Sequence, residues 1–260
     1  MAAGATGHIT ASGGPVVING RGTVGGPAVE FTGGWVVQAG QIDINTDNGL
    51  RLMPDSSSGN SPSFNASQAF KLAVVAPLGL TVGDGMPLLD GTALGHALAS
   101  MPATSTATLN VTGNANTLAV RGPLDVPGRL RIEADGIELQ PGALLAGGGS
   151  GDAVVLGGTS ALPASFMVNT GGANVLNTPN GRWVVMVSSP AQTSLGGLQP
   201  AFTAYSLDAR PWLQDAKGNF ITPASGNALG YGVSPTGSGG GALSGSVSKV
   251  YDTFTSILLD

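Results

Sequence analysis

An all-β chain of many short strands is what this sequence predicts, and three observations predict it. Apolar or alternating runs of strand length recur along the chain. Most of their boundaries carry Gly, Asn, Asp or Pro, residues that accept positive φ or fix a turn. Finally, 43 Gly and 17 Pro among 260 residues penalise helix interiors throughout.

The runs follow in order. Residues up to Pro54 give Ile9–Ala11, Val16–Asn19, Ala28–Phe31, Trp35–Gln38, Gln41–Ile44 and Leu50–Met53, each with strand composition. The pattern resumes with Thr108–Val111, Thr117–Val120, Arg129–Glu133, Gly136–Leu139, Ala143–Leu145, Asp152–Leu156 and Arg182–Val187. Two excursions interrupt it. Ser56 to Ser67 reads as a loop rich in Ser, Asn and Pro, and Gly91 to Ser100 reads as one short helix capped by Thr92.

Two architectures fit such spacing: a sandwich or barrel of antiparallel hairpins, and a parallel β-helix whose coils stack on one another. Tight corners, small or β-branched interiors and few charges favour the β-helix. Roughly seven to nine coils of about 20 to 25 residues give a rod about 35 to 45 Å long at the usual strand spacing. The expected organisation is a β-helix shaft over 1–187, a Gly-, Pro- and Ser-rich extension and linker over 188–245, and a further strand-like segment over 246–260.

Charge excludes several functions. Charged residues make up 10% of the chain against a usual share of about 25%. The net charge of -5 and the lack of any basic run argue against nucleic acid. No Cys is present, so disulfides and thiolate metal sites are excluded. The longest nearly apolar stretch, Leu72 to Val82, falls short of the roughly 20 residues that cross a bilayer, so membrane insertion is not expected. The first residues, Met1 to Thr6, have neither the basic flank nor the apolar core of an export signal.

Several motifs read as decoys. Gly20 to Gly25 matches the dinucleotide fingerprint, yet Ala28–Phe31 continues as a strand where a helix must open, so a tight corner is expected. Asp43 to Gly49 begins like a calcium loop but reaches Pro54 where the bidentate Glu belongs. Gly147 to Val154 resembles a single, out-of-register calcium nonapeptide. His8 and His96 lie apart, without ligand or triad spacing. Asn65 and Asn110 open glycosylation triplets of the kind an Asn-, Ser- and Thr-rich chain produces by chance. Glu133, Asp135 and Glu138 form the densest carboxylate cluster and are the candidates for a carbohydrate-active enzyme. Alternation puts Arg129, Arg131 and Glu133 on one face, which reads as a solvent-facing charge ladder. No cofactor, metal or catalytic residue is assigned.

Asn177 to Pro190, containing Arg182-Trp183, together with Pro190, Gly196-Gly197-Leu198 and Phe202 to Tyr205, resembles the haemagglutinin-like exoproteins of bacterial two-partner secretion. The resemblance is specific over 117–205 and textural over 1–116. Gly245 to Asp252, with Tyr251 and Asp252, resembles the opening strand of the YDG repeat module of such proteins; Thr253 stands where that family has Gly. The resemblance implies a right-handed parallel β-helix and a secreted or surface-displayed, non-enzymatic adhesin segment of a Gram-negative bacterium. Its implied partners are a receptor or glycan on host cells, matrix or other bacteria, and an outer-membrane transporter that acts on a domain upstream of this segment. It also implies that the chain is a piece of a larger exoprotein and ends inside the following module. Arg182 and Trp183 are then structural, Trp183 packing at the shaft end with Arg182 as its charged or cation–π partner. Ser56 to Ser67 and Gly91 to Ser100 are the expected protruding binding loops, and an inert spacer is the alternative.

Overall fold

The computed structural model describes residues 7–21, 27–54, 59–76, 79–113, 117–158, 163–204 and 226–232. Its strands pair in parallel throughout, and they stack into sheets along one axis. Parallel neighbours need a connection that leaves the sheet and returns. Here the connections are themselves strands of the other sheets.

The first sheet holds β1 (His8–Thr10), β2 (Val16–Gly20), β4 (Val36–Asp47), β6 (Ser63–Val75), β8 (Thr106–Thr112), β11 (Arg129–Glu133), β14 (Gly151–Gly157), β17 (Gly181–Val187), β19 (Phe202–Ala204) and β20 (Ala228–Tyr231). A second contains β7 (Leu80–Val82), β9 (Thr117–Val120), β12 (Gly136–Leu139), β15 (Phe166–Asn169) and β18 (Thr193–Ser194). A third contains β10 (Pro123–Val126), β13 (Leu144–Gly147) and β16 (Leu176–Asn177), and β3 (Val29–Thr32) pairs with β5 (Leu50–Met53). From β8 onward the chain visits the first, second and third sheets in turn, and each circuit is one coil.

Period-two alternation decides what each coil buries. Arg129–Glu133 places Leu130 and Ile132 inside and its three charged residues outside, and Thr106–Thr112 does the same with Ala107, Leu109 and Val111. Register then stacks like on like. Ile18, Ile44, Leu72, Leu109, Ile132, Leu156, Val185 and Leu229 form one inward row through the first sheet. Leu80, Leu118, Ile137 and Met167 form a row in the second, and Leu124, Leu145 and Leu176 one in the third. These rows meet in a single buried cluster running the length of the stack. Each fully buried Leu or Ile contributes about 1.5–3 kcal/mol relative to exposure. Nine layers of the first sheet span roughly 38 Å at the usual strand spacing.

The two interruptions differ from expectation. Ser63 to Ser67, expected in a loop, begin strand β6, with Phe64 and Ala66 fully buried. The apolar alternation there is masked by an extra residue near Ser67–Gln68, opposite Gly40, where the ladder with β4 shifts register. Gly91–Ala97 is the expected helix, α1, but its cap is Asp90, whose carboxylate accepts hydrogen bonds from Ala93 N at 2.9 Å and Gly85 N at 2.8 Å. The helix does not protrude. Leu94, Ala97 and Leu98 are buried, and it packs on β10 in the place of a third-sheet strand.

Candidate functional site

The outer surface of the first sheet carries rows of polar side chains in register. Its rows are Val17, Asp43, Lys71, Thr108, Arg131 and Val155, and beside them Asn19, Asn45, Ala73, Asn110 and Glu133. Asn45 Nδ2 donates to Asn19 Oδ1 at 2.9 Å across one layer, and Gln41 Nε2 donates to both oxygens of Asp43. Arg131 pairs with Glu133 at 2.6 Å, and Asn110 Nδ2 donates to the other Glu133 oxygen. Several groups on this face thus satisfy one another within and between layers.

The carboxylate cluster is divided by the fold. Glu133 ends a strand of the first sheet, Glu138 lies in the second, and Asp135 occupies the corner between them. Gln140 Nε2 donates to Glu138, and Ser165 Oγ donates to Asp135. Each acid is engaged by a different local partner.

The decoy motifs are corners where the structure describes them. Gly20 ends β2, and a Cβ there would lie 2.6 Å from Ala28 O, so the chain folds back too closely for any other residue. Asp43 to Asp47 are strand, followed by Asn48 at φ 79° and Gly49 at φ 152°, a turn. Among the described residues, no three of His, Cys, Asp and Glu gather in a group suited to a metal. His8 lies on the edge strand β1 and His96 in α1.

The family-motif residues converge on the last coils. Arg182 and Trp183 are neighbours on β17 and so face opposite sides. Trp183 is in the core above Val154. Arg182 Nε lies 2.6 Å from Asp152 Oδ1 of the coil below, both side chains being about nine-tenths buried, and Asp152 Oδ2 has no hydrogen-bond partner. Two layers, β20 and β19, lie beyond Trp183, so the indole packs inside the stack instead of at its end. The parallel sheet thus continues past residue 187, the expected limit of the shaft. Pro190 opens a 3-10 turn, Pro190–Gln192. Gly196 and Gly197 have φ of 56° and 98°, and a Cβ on Gly196 would fall 2.2 Å from Asn169 O. Tyr251 and Asp252, with all of 246–260, lie outside the described residues, as do 205–225 and 233–245 of the expected linker.

Two features of this region escaped the sequence reading. Asn169 is buried and fully used: its amide nitrogen donates to Gly172 O and Leu195 O, and its oxygen accepts from the N–H groups of Gly171 and Gly172. The outer face is apolar here, where Val184, Met186 and Ala228 are buried, with Val155 and Phe202 packed against them. The Asn-Thr-Gly-Gly sequence at 169–172 signalled the first; the unbroken apolar run of β17 signalled the second.

Comparison of the chain with protein-family models, curated proteins and solved structures gave no match.

Proposed function

We propose that this chain is a non-catalytic shaft segment of a secreted or surface-displayed bacterial adhesin. One observation carries the reading: side-chain rows run in register through the first sheet from β2 to β20, and among the described residues the inward rows fill the space that the coils enclose. The pocket under α1 holds about 10 Å³ and is lined by Phe70, Leu94, Leu124 and other core residues. A pocket of that size and lining admits no substrate. Glu133, Asp135 and Glu138 are each engaged by a different local partner, which supports a structural role over the paired-carboxylate chemistry of glycoside hydrolysis. Such a rod holds whatever it displays at a fixed distance from its anchor.

The adhesin context, the transporter-dependent export and a receptor or glycan as partner rest on the resemblance at Asn177 to Tyr205. The packing of α1 into the core favours a spacer role over recognition at Gly91 to Ser100. Antibodies raised against the purified chain test the location. Labelling of intact, unpermeabilised cells is expected, and labelling that requires permeabilisation overturns the proposal. Release of reducing ends from a polysaccharide, abolished by Glu133→Gln, would replace the shaft with an enzyme.

A further inference from the structure

Coil order breaks at one place. From β4 to β17 each strand of the first sheet lies beside the strand of the preceding coil. The next strand of this sheet along the chain, β19, does not lie on β17. That layer is filled by β20, and β19 pairs with the far edge of β20.

The chain entering β19 is fixed to the coil beneath it. Thr193 and Ser194 pair with Met167 and Val168, Gly196 sits against Asn169, and Leu198 is buried. A coil anchored in this way delivers its next strand onto β17, as every earlier coil does. Here an insert displaces it outward by one layer, about 4.8 Å. The insert is held on both edges. Ala228–Tyr231 pairs with Val184–Val187 on one side and with Phe202–Ala204 on the other. Trp183 N donates to Asn227 Oδ1, the N–H groups of Ala201 and Phe202 donate to Asn227 O, and Gly232 N donates to Val187 O. All four strand residues are buried.

We propose that residues 226–232 are an exchangeable strand, traded between two copies of this chain to give a strand-swapped dimer. The site between β17 and β19 presents two facing strand edges, the arrangement that captures an extended strand most strongly. The strand arrives after residues 205–225, whose fully extended reach is roughly 70 Å, longer than the stack itself. It therefore reaches the same site on a neighbouring copy. The contacts made in cis and in trans are identical, so concentration decides between them. Crowded display of many copies, or refolding at high protein concentration, favours exchange.

The absence of Cys makes the test direct. Full-length chains carrying only Val184→Cys and only Ala228→Cys are unfolded together, refolded at high concentration and treated with a short bifunctional thiol cross-linker. These positions are in register across β17 and β20. A covalent dimer joining the two variants is expected, alongside a dimer of the unmodified chain that increases with refolding concentration and is lost in Leu229→Asp. The proposal is overturned if the Val184→Cys/Ala228→Cys double variant cross-links within one chain while the mixture gives no dimer. Should the cysteine variants fail to fold, the unmodified chain decides: a monomer at every concentration, or a dimer that survives Leu229→Asp, overturns it.

Discussion

Replacing Arg182 with Met tests how the last coils are locked together. The substitution keeps an apolar stem of similar reach and removes the guanidinium, whose Nε lies 2.6 Å from Asp152 Oδ1. The Asp152 side chain is 11% exposed and its second oxygen already lacks a partner, so the variant strands a buried carboxylate. Removing one member of a buried pair costs about 3–5 kcal/mol. Against a typical total of about 5–15 kcal/mol, that is a large share. The reverse change, Asp152→Ala, leaves Arg182 with its further contacts and costs less, about 1.5–3 kcal/mol for a lost charged hydrogen bond. The double variant leaves no orphaned carboxylate and is expected to be more stable than Arg182→Met alone. Urea unfolding followed by far-ultraviolet circular dichroism measures all four proteins. A loss below about 1 kcal/mol in Arg182→Met, or simple addition of the two single losses in the double variant, refutes the reasoning.

Other substitutions probe the core and the helix. Leu109→Ala in the central inward row removes a buried side chain beside the small pocket under α1, and a loss of about 3 kcal/mol is expected in the same unfolding assay. Gly95→Ala raises helix propensity by about 1 kcal/mol, yet its Cβ would lie 2.7 Å from Asp125 O, so a net loss of stability is expected. Asp90→Ala removes the helix cap and is expected to lower stability by about 1 kcal/mol, whereas Thr92→Ala leaves it nearly unchanged.

Much of the fold is legible in the sequence because alternation survives wherever a coil is regular. Leu50–Met53, Thr117–Val120, Arg129–Glu133 and Gly136–Leu139 are strands with the boundaries their residues predict. Trp35–Gln38 and Gln41–Ile44 read as two runs because Gly40 lies between them, but the single strand Val36–Asp47 runs through both from Val36 onward. Strand β6 was hidden by its own bulge and by its Ser and Asn content, and β10 by the Pro residues at 123 and 127. The cap at Asp90 and the partner of Arg182 depend on contacts between segments, which spacing along the chain does not report. Asp152 and Arg182 meet across one coil, and only the register of β14 with β17 brings them together.

The stacking register itself is open to direct measurement. Val17, Thr108, Arg131 and Val155 belong to one outward row, with Thr108, Arg131 and Val155 three, four and five layers from Val17. Cysteine at Val17 paired in turn with cysteine at each of the others, spin-labelled and read by pulsed dipolar spectroscopy, should give separations of about 14, 19 and 24 Å between backbone sites. A steady increase of about one strand spacing from each pair to the next is the predicted result. Separations that do not rise in that order, or that differ by more than the reach of the labels, would contradict a stack of parallel coils.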